Sequence, residues 1–138
     1  MIRLVREPID LAALQATTPA DGALCLFAGV VRNEHKGRAV LRLEYEAYEE
    51  MALPLMEEIA AEARRRWPIT GLRMVHRLGS LGIGEASVAV AVASPHRAEA
   101  FAACRFLIDT LKARVPIWKR EYYADGSAWL EEAPVRDG

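Results

Sequence analysis

Two hydrophobic rhythms run along the chain. Between Leu41 and Glu46 apolar and charged residues take turns, Leu41, Leu43 and Tyr45 against Arg42, Glu44 and Glu46, which is the period of a strand with one wet face. From about Met51 to Trp67 the period lengthens. Leu55, Ile59 and Ala63 fall on one stripe with Met56, Ala60 and Trp67 beside it, while Glu57, Glu58, Glu62 and Arg64 to Arg66 lie mostly outside. That spacing predicts an amphipathic helix stopped by Pro68, with Met51 and Met56 as core residues. A second helix is predicted where Phe101, Cys104, Ile108, Leu111 and Val115 recur at alternating intervals of three and four. Ser94 is its expected N-cap and Pro95 its first residue, and Pro116 disfavours helical geometry at Val115, so it should end near Arg114.

The remaining segments read as strands and turns. "IRLVREPI" can be a first strand, and Asp10 can cap a short helix through about Ala16 before the turn-forming "TTPADG". "GALCLFAGVVR" (Gly22 to Arg32) is apolar enough for a central strand, in which Gly29 suggests a bulge or a close backbone approach. "GLRMVHRLG" and "EASVAVAVAS" are two more strands, separated by a turn containing Gly79, Gly82 and Gly84. No Gly-x-Gly-x-x-Gly stands at a strand-to-helix junction, so no nucleotide fingerprint is read there. "IWKREYY" is a strand, Asp125-Gly126 a tight turn and "SAWLE" its hairpin return. This order predicts an α+β fold with two long helices packed on a largely antiparallel sheet and a C-terminal β-hairpin. Without repeats or linkers, residues 1–138 are expected to form a single domain.

Composition narrows the function classes. A chain of 138 residues can bury about two thirds of its unfolded surface without disulfides or metal. A net charge of -1 and a pI near 6.3 give no broad attraction to nucleic acid or anionic membrane, so any anion site must be local. The longest apolar run, "ASVAVAVAS", is too short to span a bilayer, and "MIRLVREPID" lacks a signal-peptide core. A cytoplasmic protein is expected. Cys25 and Cys104 sit in apolar runs and read as core residues, since a buried thiol is a poor nucleophile. His35, His76 and His96 lie in different segments without zinc-ligand spacing, so neither a metal nor a cofactor is expected.

Candidate chemistry gathers at the ends of the second predicted helix. "SPHR" places His96 and Arg97 at its second and third positions, where exposed N–H groups and the helix dipole favour a phosphate or carboxylate. The competing reading pairs Arg97 with a carboxylate such as Glu44 or Glu46. At the other end the chain becomes sparing with lysine: of 18 basic residues only Lys36, Lys112 and Lys119 are lysine. Lys112 and Lys119 flank Pro116. A lysine amine can serve as acid, base or nucleophile, which a guanidinium cannot. Lys112 lies roughly 24 Å along the helix from His96. Either they serve different subsites, or the pocket is long, or a second subunit closes the gap. Lys119, after the proline, can return beside Lys112; the alternative leaves both on a solvated surface.

Taken together, "PIWKRE", "SPHRAEAF", "FAGVVRNEHKG" and "LEYEAY" closely resemble the catalytic, large-subunit family of molybdopterin synthases, over about Gly22 to Trp129. The resemblance implies an α/β hammerhead fold with an added antiparallel sheet. It also implies sulfur transfer from the C-terminal thiocarboxylate of a small ubiquitin-like carrier to cyclic pyranopterin monophosphate, forming the dithiolene of molybdopterin. The implied assembly is a homodimer with one carrier at each end. Residue by residue, the family's anion-binding arginine falls on Arg32, its His-Arg pair on His96 and Arg97, and its two essential lysines on Lys112 and Lys119. Arg120 and Glu121 continue the last motif. On this reading Lys119 and Lys112 are catalytic and the whole set contacts substrate. The tail "LEEAPVRDG" is shorter than in some relatives, whose basic contact Arg136 could replace. The rival reading is a non-catalytic α+β sensor module that binds a phosphorylated ligand through "SPHR".

Overall fold

The computed structural model describes residues 1–131, so Arg136 lies outside the described residues. Its elements in chain order are β1 (Ile2–Val5), β2 (Ala23–Val30), β3 (Glu34–His35), β4 (Arg38–Ala47), α1 (Glu49–Arg66), β5 (Gly71–Arg77), β6 (Gly79–Gly82), β7 (Ala86–Ser94), α2 (Arg97–Arg114), β8 (Ile117–Tyr123) and β9 (Ala128–Glu131). The fold is α+β, as the element order predicts. One sheet has the order β1-β5-β7-β2, with β1 parallel to β5 and the other pairs antiparallel. The second runs β3-β4-β8-β9, and β6 also pairs with β4.

The period of two along β7 divides the core. Val88, Val90 and Val92 meet Met56 and Ile59 of α1 and Leu107 and Leu111 of α2. Ala89 and Ala91 point the other way and pack with Leu14 and Val75. Covering both faces is what makes "ASVAVAVAS" continuously apolar. A smaller core of Val31, Val40, Leu43, Leu81 and Tyr123 supports the second sheet.

Several sequence expectations need correction. β2 is an edge strand, because it is buried by layers above and below rather than by strands on both sides. Cys25 packs toward the helices, Leu24 and Leu26 pack toward Leu14, and Phe27 and Val30 are left exposed. The register shifts between Val40 and Arg42, which throws Leu41 out to solvent and buries Val40 in its place. Asp10 precedes only a single 3-10 turn, Ala12–Leu14. The glycine-rich turn contains β6, closed by Arg77 and Glu85 at 2.6 Å. Met51 and Phe101 are exposed, since the buried stripes run through Ala52, Met56, Ile59, Ala60 and Ala63 on α1, and through Ala100, Ala103, Cys104 and Leu107 on α2. Ser94 ends β7 instead of capping α2, its hydroxyl donating to the His96 carbonyl; Arg97 is the first helical residue and His96 the flanking one.

Gly29 meets the first expectation for it, a bulge, and the close approach there is by a side chain and not by backbone. The β2 register shifts there, and a side chain would come within 2.9 Å of Val88 Cγ1. Gly22 is held more tightly still: its N–H donates to the Ser94 carbonyl at 3.0 Å, and any Cβ would collide with the Pro95 carbonyl oxygen. That oxygen is backbone and cannot swing aside. Gly22→Ala is therefore expected to cost about 2 kcal/mol of stability, read as a lowered urea midpoint with an unchanged slope; an unshifted midpoint would refute the clash.

Candidate active site

Pro116 organises the site. The Val115 N–H still bonds to the Leu111 carbonyl at 3.0 Å, but Val115 is extended and the chain leaves the helix there. The Pro116 carbonyl accepts from Tyr48 N–H at 3.1 Å, docking the turn against the end of β4, and β8 then runs antiparallel to β4 with Lys119 opposite Tyr45 and Glu121 opposite Leu43. Lys119 and Glu121, two residues apart on a strand, share a face. Arg120, one out of step, is exposed.

These elements enclose a cavity of about 480 Å³ at the seam between the two sheets. Lys112 lines it from the last turn of α2 and Lys119 from β8, so the two lysines that flank the proline share one cavity. Arg32 lines it from the end of β2, and Lys36 from the tight turn between β3 and β4. Lys36 and Gly37 both have positive φ, 51° and 77°, the geometry of a two-residue hairpin turn. Among the described residues, four cations and two carboxylates, Glu34 and Glu121, line the cavity. It is a local positive site on a chain of net charge -1.

Glu121 is the most constrained of these groups. Only 2% exposed, its carboxylate lies 2.8 Å from His35 Nδ1 and 3.5 Å from Lys119 Nζ, and it accepts from the Tyr123 hydroxyl at 3.2 Å. A buried carboxylate demands such partners. The Tyr123 phenol is pushed above its ordinary range by burial and then by the Glu121 charge, which keeps its proton available for that bond. The Trp129 ring lies 6.1 Å from the His35 ring, with Lys36 Nζ 5.9 Å from its centre.

A second imidazole lines the same cavity. His76, on β5, is 5% exposed and sits edge-on to Tyr45. Its Nδ1 is 2.8 Å from the Arg77 carbonyl oxygen. A carbonyl can only accept, so Nδ1 carries the hydrogen and Nε2 the lone pair. Burial first, and the Lys112 charge as a smaller cause, lower its pKa to about 4, so the ring is neutral at pH 7.

The cysteines stand apart from this chemistry. Burial, with nearby Cys25 adding to it, pushes the Cys104 thiol up to about 12, and neither cysteine lines the cavity. Among the described residues no cluster of His, Cys, Asp or Glu could hold a metal ion. His96 and Arg97, at the far end of α2, do not line the cavity of this chain, nor does Arg120.

A family model described as "MoaE protein" matches residues 4–114. The chain belongs to the MoaE family. It is 48% identical over 127 residues to the molybdopterin synthase catalytic subunit of a Nostoc species, covering 89% of this chain and 77% of that one. To the subunit of the same name from Pyrococcus abyssi it is 42% identical over 134 residues, covering 94% and 90%. Molybdopterin synthase from Staphylococcus aureus superposes with a TM-score of 0.87 at 38% identity, covering 93% of this chain and 94% of that one. Membership makes this MoaE-family chain a catalytic subunit, with a transferase role in molybdenum-cofactor biosynthesis.

Sequence reasoning brought Arg32, Lys112, Lys119 and Glu121 to the cavity of this family member but passed over His35, Lys36, His76 and Trp129. Lys36 enters the sequence reading only through the lysine count, which singles out the two lysines flanking Pro116. The two histidines were weighed only as metal ligands.

Proposed function

We propose that the chain transfers sulfur from the C-terminal thiocarboxylate of a small ubiquitin-like carrier to cyclic pyranopterin monophosphate, forming the dithiolene of molybdopterin. One observation carries this reading: a chain that meets nearly all its need for positive charge with arginine places all three of its lysines around one cavity. Attack by a thiocarboxylate and departure of phosphate both build negative charge, which fixed cations in a partly desolvated cleft stabilise. Arg32 would hold the anionic end of the substrate, Lys119 the reacting centre, and Lys112 the carrier tail beside it. The high pKa of the Cys104 thiol supports an external source of sulfur.

His96 and Arg97 fit the reading if a second copy supplies them. β2 ends its sheet with Phe27 and Val30 exposed, and Val30 also lines the cavity rim. A partner copy seated along that edge would therefore abut the site, and its "SPHR" segment would bring a guanidinium to the substrate phosphate. Arg120, exposed on the outer face of β8, is assigned to the cavity's surroundings, and Glu121 to holding Lys119.

Incubating the purified protein with thiocarboxylated carrier and cyclic pyranopterin monophosphate should yield the dithiolene product, detected after oxidation by its fluorescence. A protein that bound the phosphorylated pterin without consuming thiocarboxylate would instead be the non-catalytic sensor module.

A further inference from the structure

We propose that His35 is a further catalytic residue, the proton acceptor for the water that frees the carrier from the transferred sulfur, held in position by the buried carboxylate of Glu121. The proposal rests on the sulfur-transfer reading above and deepens it.

The need for a base follows from the bonds involved. A thiocarboxylate sulfur that has attacked a pterin carbon is still bonded to its carrier's carbonyl carbon. To release it, water must add its oxygen to that carbonyl carbon. The C–S bond then breaks, its electron pair leaves with sulfur as a pterin thiolate, and the carrier departs as a carboxylate. One proton of the water is taken up as the C–O bond forms, and the second is lost when the carboxylic acid ionises. Nothing is oxidised or reduced. A base placed to accept the first proton accelerates such a step about 10²- to 10⁴-fold.

Few groups around the cavity can accept it. The Arg32 guanidinium has no lone pair to offer, and Lys36, Lys112 and Lys119 serve the proposed reaction as cations, a form with protons to give and none to receive. Glu121 is sealed from solvent, hydrogen-bonded with His35 and Tyr123 and ion-paired with Lys119. His76 is buried, and with its pKa near 4 it is a weak base. His35 differs on each count: its side chain is 26% exposed, it lines the cavity, and Glu121 engages only Nδ1. With Nδ1–H donated to that carboxylate, the Nε2 lone pair is left for water, and the imidazolium formed by proton uptake is stabilised by the same carboxylate. Imidazole is also the side chain whose ordinary titration range is matched to proton transfer at neutral pH. Among the described residues the remaining carboxylate at the cavity is Glu34, exposed on the same hairpin.

Single-turnover sulfur transfer, with thiocarboxylated carrier and cyclic pyranopterin monophosphate as probes, tests the assignment. In His35→Gln and His35→Ala, carrier and pterin should bind as before, and a carrier–pterin acyl adduct should accumulate in intact-mass spectra. Product release should slow about 100-fold. Added imidazole should restore the rate of His35→Ala, a response that a purely structural role would not give. Turnover within about threefold of the unsubstituted chain would overturn the proposal, since a general base is worth more than that. So would slowing without an adduct, or an adduct that accumulates in Glu34→Gln instead. No dithiolene from the unsubstituted chain would overturn the sulfur-transfer reading itself, and this proposal with it.

Discussion

Lys119→Ala is expected to lower dithiolene formation about 10²- to 10³-fold, the usual effect of removing one fixed donor from a charge-stabilising site, while carrier binding is retained. The side chain is half-buried at the cavity wall, and buried Glu121 lies 3.5 Å from its ammonium. The substitution leaves Glu121 with His35 and Tyr123 as partners, so the fold should tolerate it. Lys119→Arg separates charge from geometry. It restores a cation but replaces a compact ammonium with a wide planar fork, and only partial recovery is expected. Calorimetric carrier binding set beside single-turnover product formation makes the measurement. Near-normal turnover of Lys119→Ala would remove Lys119 from the chemistry, and a loss confined to carrier binding would exchange its proposed role with that of Lys112.

The second large effect is on stability, and its origin is His76. In the folded chain its pKa is lowered from 6.5 to about 4, chiefly by burial. Above pH 6.5 the ring is neutral whether the chain is folded or not, and it contributes no pH dependence. As pH falls from 6.5 toward 4 the unfolded chain binds a proton that the folded chain refuses, so folding stability is lost through that window. The loss should reach about 3 kcal/mol. Urea unfolding of the unsubstituted chain and of His76→Gln at pH 7, 5.5 and 4 isolates it. Glu85 and Asp21, whose carboxylates are also held below their ordinary range, add acid sensitivity to both proteins alike and cancel in the difference. Parallel stability curves for the two proteins would show that the His76 environment does not resist protonation.

What could be read in the sequence, and what could not, follows from the range of the forces involved. The helices were legible because their signal is local: Met56, Ile59 and Ala63, or Cys104, Ile108 and Leu111, repeat within a few turns. Their ends were legible where proline stops them, as at Pro116, and misplaced at Ser94, where a serine suited to capping instead ends a strand and donates to a backbone carbonyl. Burial was legible, but its source was not. The apolar run of β2 is the same whether strands flank it or layers cover it, so a central strand was expected where an edge is found. Register is a pairwise property, which is why Leu41 rather than Val40 was assigned to the core. The lysines flanking the proline were legible through scarcity. His35 and Glu121, 86 residues apart, meet only because β3 and β8 both flank β4, and no spacing rule anticipates that.

The concentration of all three lysines around the cavity has a consequence for how the protein meets amine-directed chemistry. On most proteins an acylating reagent, or an acetyl-transferring enzyme, distributes its groups over a surface rich in lysine. Here every lysine acyl group must land on the cavity wall or its lip, and the Met1 amine is partly sheltered where it donates to the Leu72 carbonyl. Each such event removes a cation from the one place where the chain concentrates them. On the proposed sulfur-transfer reading acylation would therefore silence the molecule, and its intact mass, corrected for acylation of the Met1 amine, would report how much had been silenced.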